Sequence, residues 1–188
     1  MPSLSEDERK MLLALARQAI VCAVRRESPP QPPRIEGIFA ERRGVFVTLH
    51  LQGELRGCIG VTESSEAVAA TVVRCAASAA LRDPRFPPLS AAHLADVHIE
   101  ISILSSAERI LPEQIVVGRH GLHVRRGAQR GLLLPQVAAE QGMSRDVFLE
   151  QTCRKAGLLA DAWRDAETEI WGFTCEVFAE VDGQPAGE

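Results

Sequence analysis

No apolar run in this chain approaches the ~20 residues that a helix needs to cross a bilayer. The apolar stretch near the N-terminus follows Glu6-Asp7-Glu8, the reverse of a signal peptide's basic start. From these two absences we expect a cytoplasmic protein with no membrane role. Close-spaced cysteine pairs are missing as well. Cys22, Cys58, Cys75, Cys153 and Cys175 are odd in number and scattered, so they read as free thiols and not as a disulfide framework or zinc knuckle. Nor is there an excess of basic charge. Twenty-one basic residues stand against 25 acidic ones, a net charge of -4, so a general nucleic-acid footprint is lacking. Aromatics amount to only 4%, with no tyrosine at all, which leaves little for base stacking. The local cluster Arg125, Arg126 and Arg130 reads as a solvated hairpin tip.

What is present is an ordinary globular composition, 46% apolar and 24% charged, on 188 residues. That length fits one domain, or one domain of two unequal lobes. Residues 5–26 read as an amphipathic helix. Ser5 and Glu8 have capping-box spacing, and Leu12, Leu15, Ala16, Ala19, Ile20, Ala23 and Val24 recur on one stripe. A stiff proline-rich linker, 28–33, then stops the helix.

Val45 to Val61 alternates as a β-hairpin. A three-residue loop, Gln52-Gly53-Glu54, would place Thr48 opposite Cys58 and His50 opposite Arg56. An alanine-rich helix is expected over 65–81, followed by the rigid charged loop Arg82 to Leu89. A strand from Val97 to Leu104 comes next. A second hairpin, about 121–134, turns at Gly127-Ala128. Short helices are expected after Pro135 and Ser144, and a last strand over 170–179. Hairpins outnumber crossover units, so the expected class is α+β with a largely antiparallel sheet flanked by helices.

The most informative segment is Leu55-Arg56-Gly57-Cys58-Ile59-Gly60, which sets a thiol and an arginine between two glycines in a strand. Glycine in a strand marks a bulge or a close approach. Cys58 has two readings. It could be a thiolate nucleophile activated by His50, with Arg56 and the Gly57 amide stabilising negative charge. Equally, it could be a small packed hydrophobe. Gly57 and Gly60 could expose amides that, with Arg56, hold a carboxylate or phosphate. In the loop, Asp83, Arg85 and Phe86 could bring a carboxylate, a cation and a ring beside the hairpin. The plainer reading is an internal ion pair, Asp83 with Arg85 or with Arg82, that fixes the loop's shape. His120 and His123, even with His98, do not have metal-ligand geometry, and we expect neither a metal nor a cofactor.

Leu55 to Gly60, then Arg82-Asp83-Pro84-Arg85-Phe86-Pro87-Pro88-Leu89, resemble the signature of the AMMECR-type domain family, protein A of the AmmeMemoRadiSam system. His120-Gly121-Leu122, Leu134-Pro135-Gln136-Val137 and Cys153-Arg154-Lys155-Ala156-Gly157-Leu158 extend the likeness over about 10–180. The resemblance implies one domain, 1–188, with a larger lobe and a smaller one within about 83–145. A cleft between the lobes would be lined by the signature motif. It also implies Memo-like and radical-SAM proteins as partners. Leu133-Leu134 stands where many relatives carry an aromatic residue, which removes a stacking role there.

The leading expectation is a cytoplasmic accessory protein binding a small anionic ligand or a protein partner. The ligand-binding residues would be Thr48, Arg56, Gly57, Gly60, Asp83, Arg85 and Phe86. The alternative is a cysteine-dependent enzyme using Cys58 and His50. Below both stand a nucleic-acid-associated protein and a substrate of a radical-SAM partner, modified at Gly57 or Gly60.

Overall fold

The computed structural model describes residues 4–32 and 36–180. Pro33 of the expected linker and both extreme ends of the 1–188 domain lie outside the described residues. The regular elements are α1 (Glu6–Arg25), β1 (Val45–Leu51), β2 (Glu54–Val61), α2 (Val68–Leu81), β3 (Val97–Leu104), β4 (Glu108–Arg109), β5 (His120–Arg126), β6 (Gln129–Leu133), α3 (Pro135–Glu140), α4 (Arg145–Lys155) and β7 (Glu169–Ala179). The class is α+β with antiparallel strand pairing, as expected from the sequence. The chain divides into two compact units, Met1–Ile103 with Glu176–Glu188, and Leu104–Cys175. Strand β7 contributes residues to both.

In the first unit the strand order is β2-β1-β3-β7, which makes β2 an edge strand. Helix α1 begins where its sequence dictates. The Ser5 amide donates to Glu8 Oε2 at 2.8 Å, and the Glu8 amide donates to Ser5 Oγ at 3.3 Å. The helix ends with Arg26 in the left-handed conformation. Its stripe of Leu12, Leu15, Ala16, Ala19 and Ile20 is buried with Val45, Val47 and Leu49 of β1 and Ile99, Ile101 and Ile103 of β3. Arg17 ties the residue that follows β7 to this helix. It donates to the Leu94 and Val97 carbonyls and to Glu180, whose Oε2 also accepts the Ile99 amide at 3.1 Å.

Two expectations for this unit need correction. Helix α2 starts at Val68 and not at 65. The Ser64 hydroxyl accepts the Glu66 amide at 3.1 Å in a local turn, and the Val68 amide donates to the Glu41 carbonyl at 2.7 Å. The first hairpin closes through the two residues Gln52-Gly53, not three, with φ of 54° and 82°. Positive φ at both positions is the geometry of a tight hairpin turn. Leu51 pairs with Glu54 and His50 with Leu55, and the register then shifts before Leu49 pairs with Gly57. Arg56 is the extra residue of a β-bulge. The bulge restores the pairing of Thr48 with Cys58, but it separates His50 from Arg56.

Small residues let α2 lie close to the hairpin. Gly57 faces the helix, and a Cβ there would collide with the Ala79 carbonyl oxygen. Cys75, Ala76, Ala79 and Ala80 form the apposed stripe, all buried. The loop after α2 folds back on it, with the Leu89 amide donating to the Ala80 carbonyl at 2.8 Å.

In the second unit β5 pairs with both β6 and β7, and β4 adds to β7. Its hairpin turns at Gly127-Ala128, as the sequence indicates. Leu122, Val124, Phe148, Leu149, Cys153 and Ile170 form a separate core. Two of the basic residues at the hairpin tip are neutralised locally: Arg125 pairs with Glu169, and Arg126 with Asp165 and Glu167.

Candidate functional site

The two signature segments meet at Cys58. On an edge strand, alternate residues turn both backbone groups away from the neighbouring strand. Those of Cys58 are taken by side chains from the 82–89 loop. The Cys58 amide donates to Asp83 Oδ2 at 2.8 Å, and Arg85 Nη2 donates to the Cys58 carbonyl at 3.3 Å. Asp83 and Arg85 thus cover the sheet edge at this residue much as a further strand would.

Of the two ion pairs open to Asp83, with Arg85 or with Arg82, the structure has the one with Arg85. Arg85 Nε donates to Asp83 Oδ1 at 2.9 Å and Nη2 to Oδ2 at 2.7 Å, while the Arg85 amide adds a bond of 3.1 Å to Oδ1. The Asp83 side chain is only 2% exposed, whereas that of Arg85 is 54% exposed. The guanidinium beside it, with the amides of Cys58 and Arg85, outweighs burial and holds the Asp83 carboxyl well below the usual carboxylate range. Asp83 is therefore a fixed anion that aims a half-exposed cation. Arg85 also lies over the Phe86 ring, 5.3 Å from its centroid. Pro84, Pro87 and Pro88 reduce the freedom that the loop would otherwise lose in taking this shape.

The Cys58 side chain lies on the face of the sheet opposite α2. Thr48, directly across on β1, donates its hydroxyl to Cys58 Sγ at 3.3 Å. His50 shares this strand but sits opposite Leu55 and His98, and among the described residues no hydrogen bond joins it to Cys58. Arg56 stands on the bulge, half-buried, with no ion pair or hydrogen bond from its side chain among the described residues. Gly57 faces the other way, against Ala79, and a Cβ at Gly60 would collide with the Phe46 ring. Both glycines permit close approach.

One residue of this face escaped the sequence reading. Glu100, partly buried on β3, lies directly across from Thr48 on the side away from Cys58. Its alternation with Ile99 and Ile101 marked it as polar-facing. Its place beside Thr48 depends on β1 pairing with β3, which no local pattern reveals.

Elsewhere, His120 and His123 do not assemble a metal-ligand group with His98 among the described residues. The His120 Nδ1 accepts the Val116 amide at 3.1 Å, and burial pushes the ring's pKa down. A concavity of about 620 Å³ in the second unit is lined by Arg126, Gln129, Leu158, Leu159, Asp161 and Arg164 among others. It includes no residue of Leu55 to Gly60 or of Arg82 to Leu89, although Gly157 and Leu158 of a further matching segment line it. No helix among the described residues is long and apolar enough to cross a membrane.

A fold of this class with this paired signature defines a family, and comparison with known proteins supplies it. The AMMECR1 family model matches residues 13–178, and the chain belongs to that family. A protein of Methanothermobacter thermautotrophicus is 43% identical, with 94% of this chain and 96% of the relative aligned. One from Methanosarcina barkeri is 42% identical, covering 98% and 95%. The crystal structure of an uncharacterized Pyrococcus horikoshii protein, PH0010, is similar with a TM-score of 0.82 and 36% identity, over 94% of this chain and 93% of that one.

Proposed function

We propose that this chain is a cytoplasmic accessory protein that binds a small anionic ligand, or an acidic group of a protein partner, beside Cys58. The observation that carries the reading is the Arg85 guanidinium. Asp83 fixes its orientation, yet half of it is open and its Nη1 has no partner among the described residues. A pre-oriented guanidinium binds carboxylate or phosphate with little further ordering. Arg56 supplies a second cation whose charge no described carboxylate neutralises. Thr48 contributes a hydroxyl and Phe86 a ring beneath the guanidinium. Gly57 and Gly60 keep the strand tight against its neighbours so that these groups hold their positions. The family resemblance makes Memo-like and radical-SAM proteins the natural source of an acidic partner group.

The test is thermal stabilisation by phosphate and by acetate at constant ionic strength, in the parent and in Arg56→Ala. Arg56 holds nothing in the fold, so the variant should keep the parent's Tm without anion and lose the anion-dependent increase. Equal responses in the two proteins would refute the reading.

One observation favours a second reading, a cysteine-dependent enzyme. The Thr48 hydroxyl donates to Cys58 Sγ at 3.3 Å, which orients the sulfur on this face of the sheet. In that case Cys58 is the nucleophile and His50 the base, drawn into reach by substrate. Thiol reactivity separates the two.

A further inference from the structure

On the face of the first unit's sheet turned away from α2, Cys58, Thr48 and Glu100 form one row across three antiparallel strands. Opposed residues in such pairs share a face. Adjacent strands lie ~4.8 Å apart, which sets the Cys58 and Glu100 backbones about 10 Å from each other. Arg85 stands at the Cys58 end of the row. The row therefore runs from a guanidinium, past a thiol and a hydroxyl, to a carboxylate. The side chains between the poles are small. The adjacent row carries Phe46 and Ser102, and His50 and His98 are opposed on the other side.

Glu100 differs from the partly buried glutamates of β7. Glu169 holds Arg109 and Arg125, and Glu176 holds Arg9. Glu100 has no ion pair and no side-chain hydrogen bond among the described residues, although it is partly buried. Its carboxylate oxygens are thus available to a cation that a ligand brings to this face.

Building on the anion-site reading, we infer that the ligand of this face is bipolar. Its anionic group sits at Arg85, and an ammonium or amidinium group reaches across β1 to Glu100. The chemical class is a zwitterion whose charges are separated by several bonds, such as an ω-amino acid or a side chain of that form. Glu100 is then the residue that selects such ligands over simple anions.

Two probes test this, hexanoate and 6-aminohexanoate, which share a carboxylate and differ in the terminal ammonium. Binding is measured by isothermal titration calorimetry to the full chain and to Glu100→Gln. For the parent, 6-aminohexanoate should bind roughly tenfold tighter than hexanoate, the value of one charge-assisted hydrogen bond. In Glu100→Gln that preference should vanish, with hexanoate affinity retained. Equal affinities in the parent, or a preference that survives in Glu100→Gln, would overturn the bipolar ligand and leave the anion site intact. Failure of both probes to bind the parent would overturn both.

Discussion

The backbone amide of Cys58 donates to the carboxylate of Asp83 at 2.8 Å, joining two segments 25 residues apart in the chain. That bond explains why an aspartate is buried in a charged loop whose Arg82, Pro84 and Arg85 are exposed. Asp83 is acceptor to the Cys58 amide, the Arg85 amide and the Arg85 guanidinium together. Removing its carboxylate orphans the edge of β2 and releases Arg85.

Asp83→Ala should therefore cost about 2–4 kcal/mol, the range for breaking a buried, hydrogen-bonded charge pair. Urea denaturation at pH 7 measures it. The pH dependence has a fixed sign. The folded carboxyl titrates below its unfolded value of ~3.9, so its contribution is complete above that value and fades as pH falls through the folded one. The stability gap between the parent and Asp83→Asn should stay level from pH 7 to about 5 and narrow only below about 4. A gap that narrows as pH rises contradicts this account.

Gly57→Ala tests the packing of the signature strand on α2. The added methyl meets a backbone carbonyl, Ala79, which cannot rotate aside as a side chain would. The expected cost is about 1–3 kcal/mol, or a fall of roughly 2–12 °C in Tm. An unchanged Tm would show that α2 does not approach the strand so closely.

Thiol chemistry ranks the cysteines. Cys75 and Cys153 are fully buried, and burial pushes both thiols up, so neither should react with iodoacetamide until the chain unfolds. Cys22, Cys58 and Cys175 are partly exposed. A binding protein predicts comparable alkylation of these three by mass spectrometry. Cys58 reacting more than tenfold faster than the other two at neutral pH would favour the enzyme reading instead.

The limits of legibility are physical. Helix α1 was readable because its capping box, Ser5 with Glu8, and its apolar stripe are local features. The Gly127-Ala128 turn was readable because glycine supplies the positive φ. The first hairpin misled because Gln52, a residue rarely found at positive φ, occupies the first turn position. A bulge at Arg56 then restores the register that a longer loop would have produced. Two errors of opposite sense cancel at Thr48 and Cys58, so that pairing was right while His50 with Arg56 was wrong. The Asp83–Arg85 pair was visible as a local possibility. Its bonds to Cys58 were not, since they depend on α2 returning the chain to the edge of β2. Glu100 was hidden for the same reason, being placed by strand order and not by any motif.

The most direct test of the anion site follows nuclear magnetic resonance signals of ¹⁵N-labelled protein during titration with phosphate at constant ionic strength. The Arg85 Nε and the Cys58 and Thr48 amides should shift saturably with one common midpoint, while the Val124 and Gly131 amides in the second unit stay fixed. Unsaturable shifts, or shifts spread evenly over both units, would contradict a site beside Cys58.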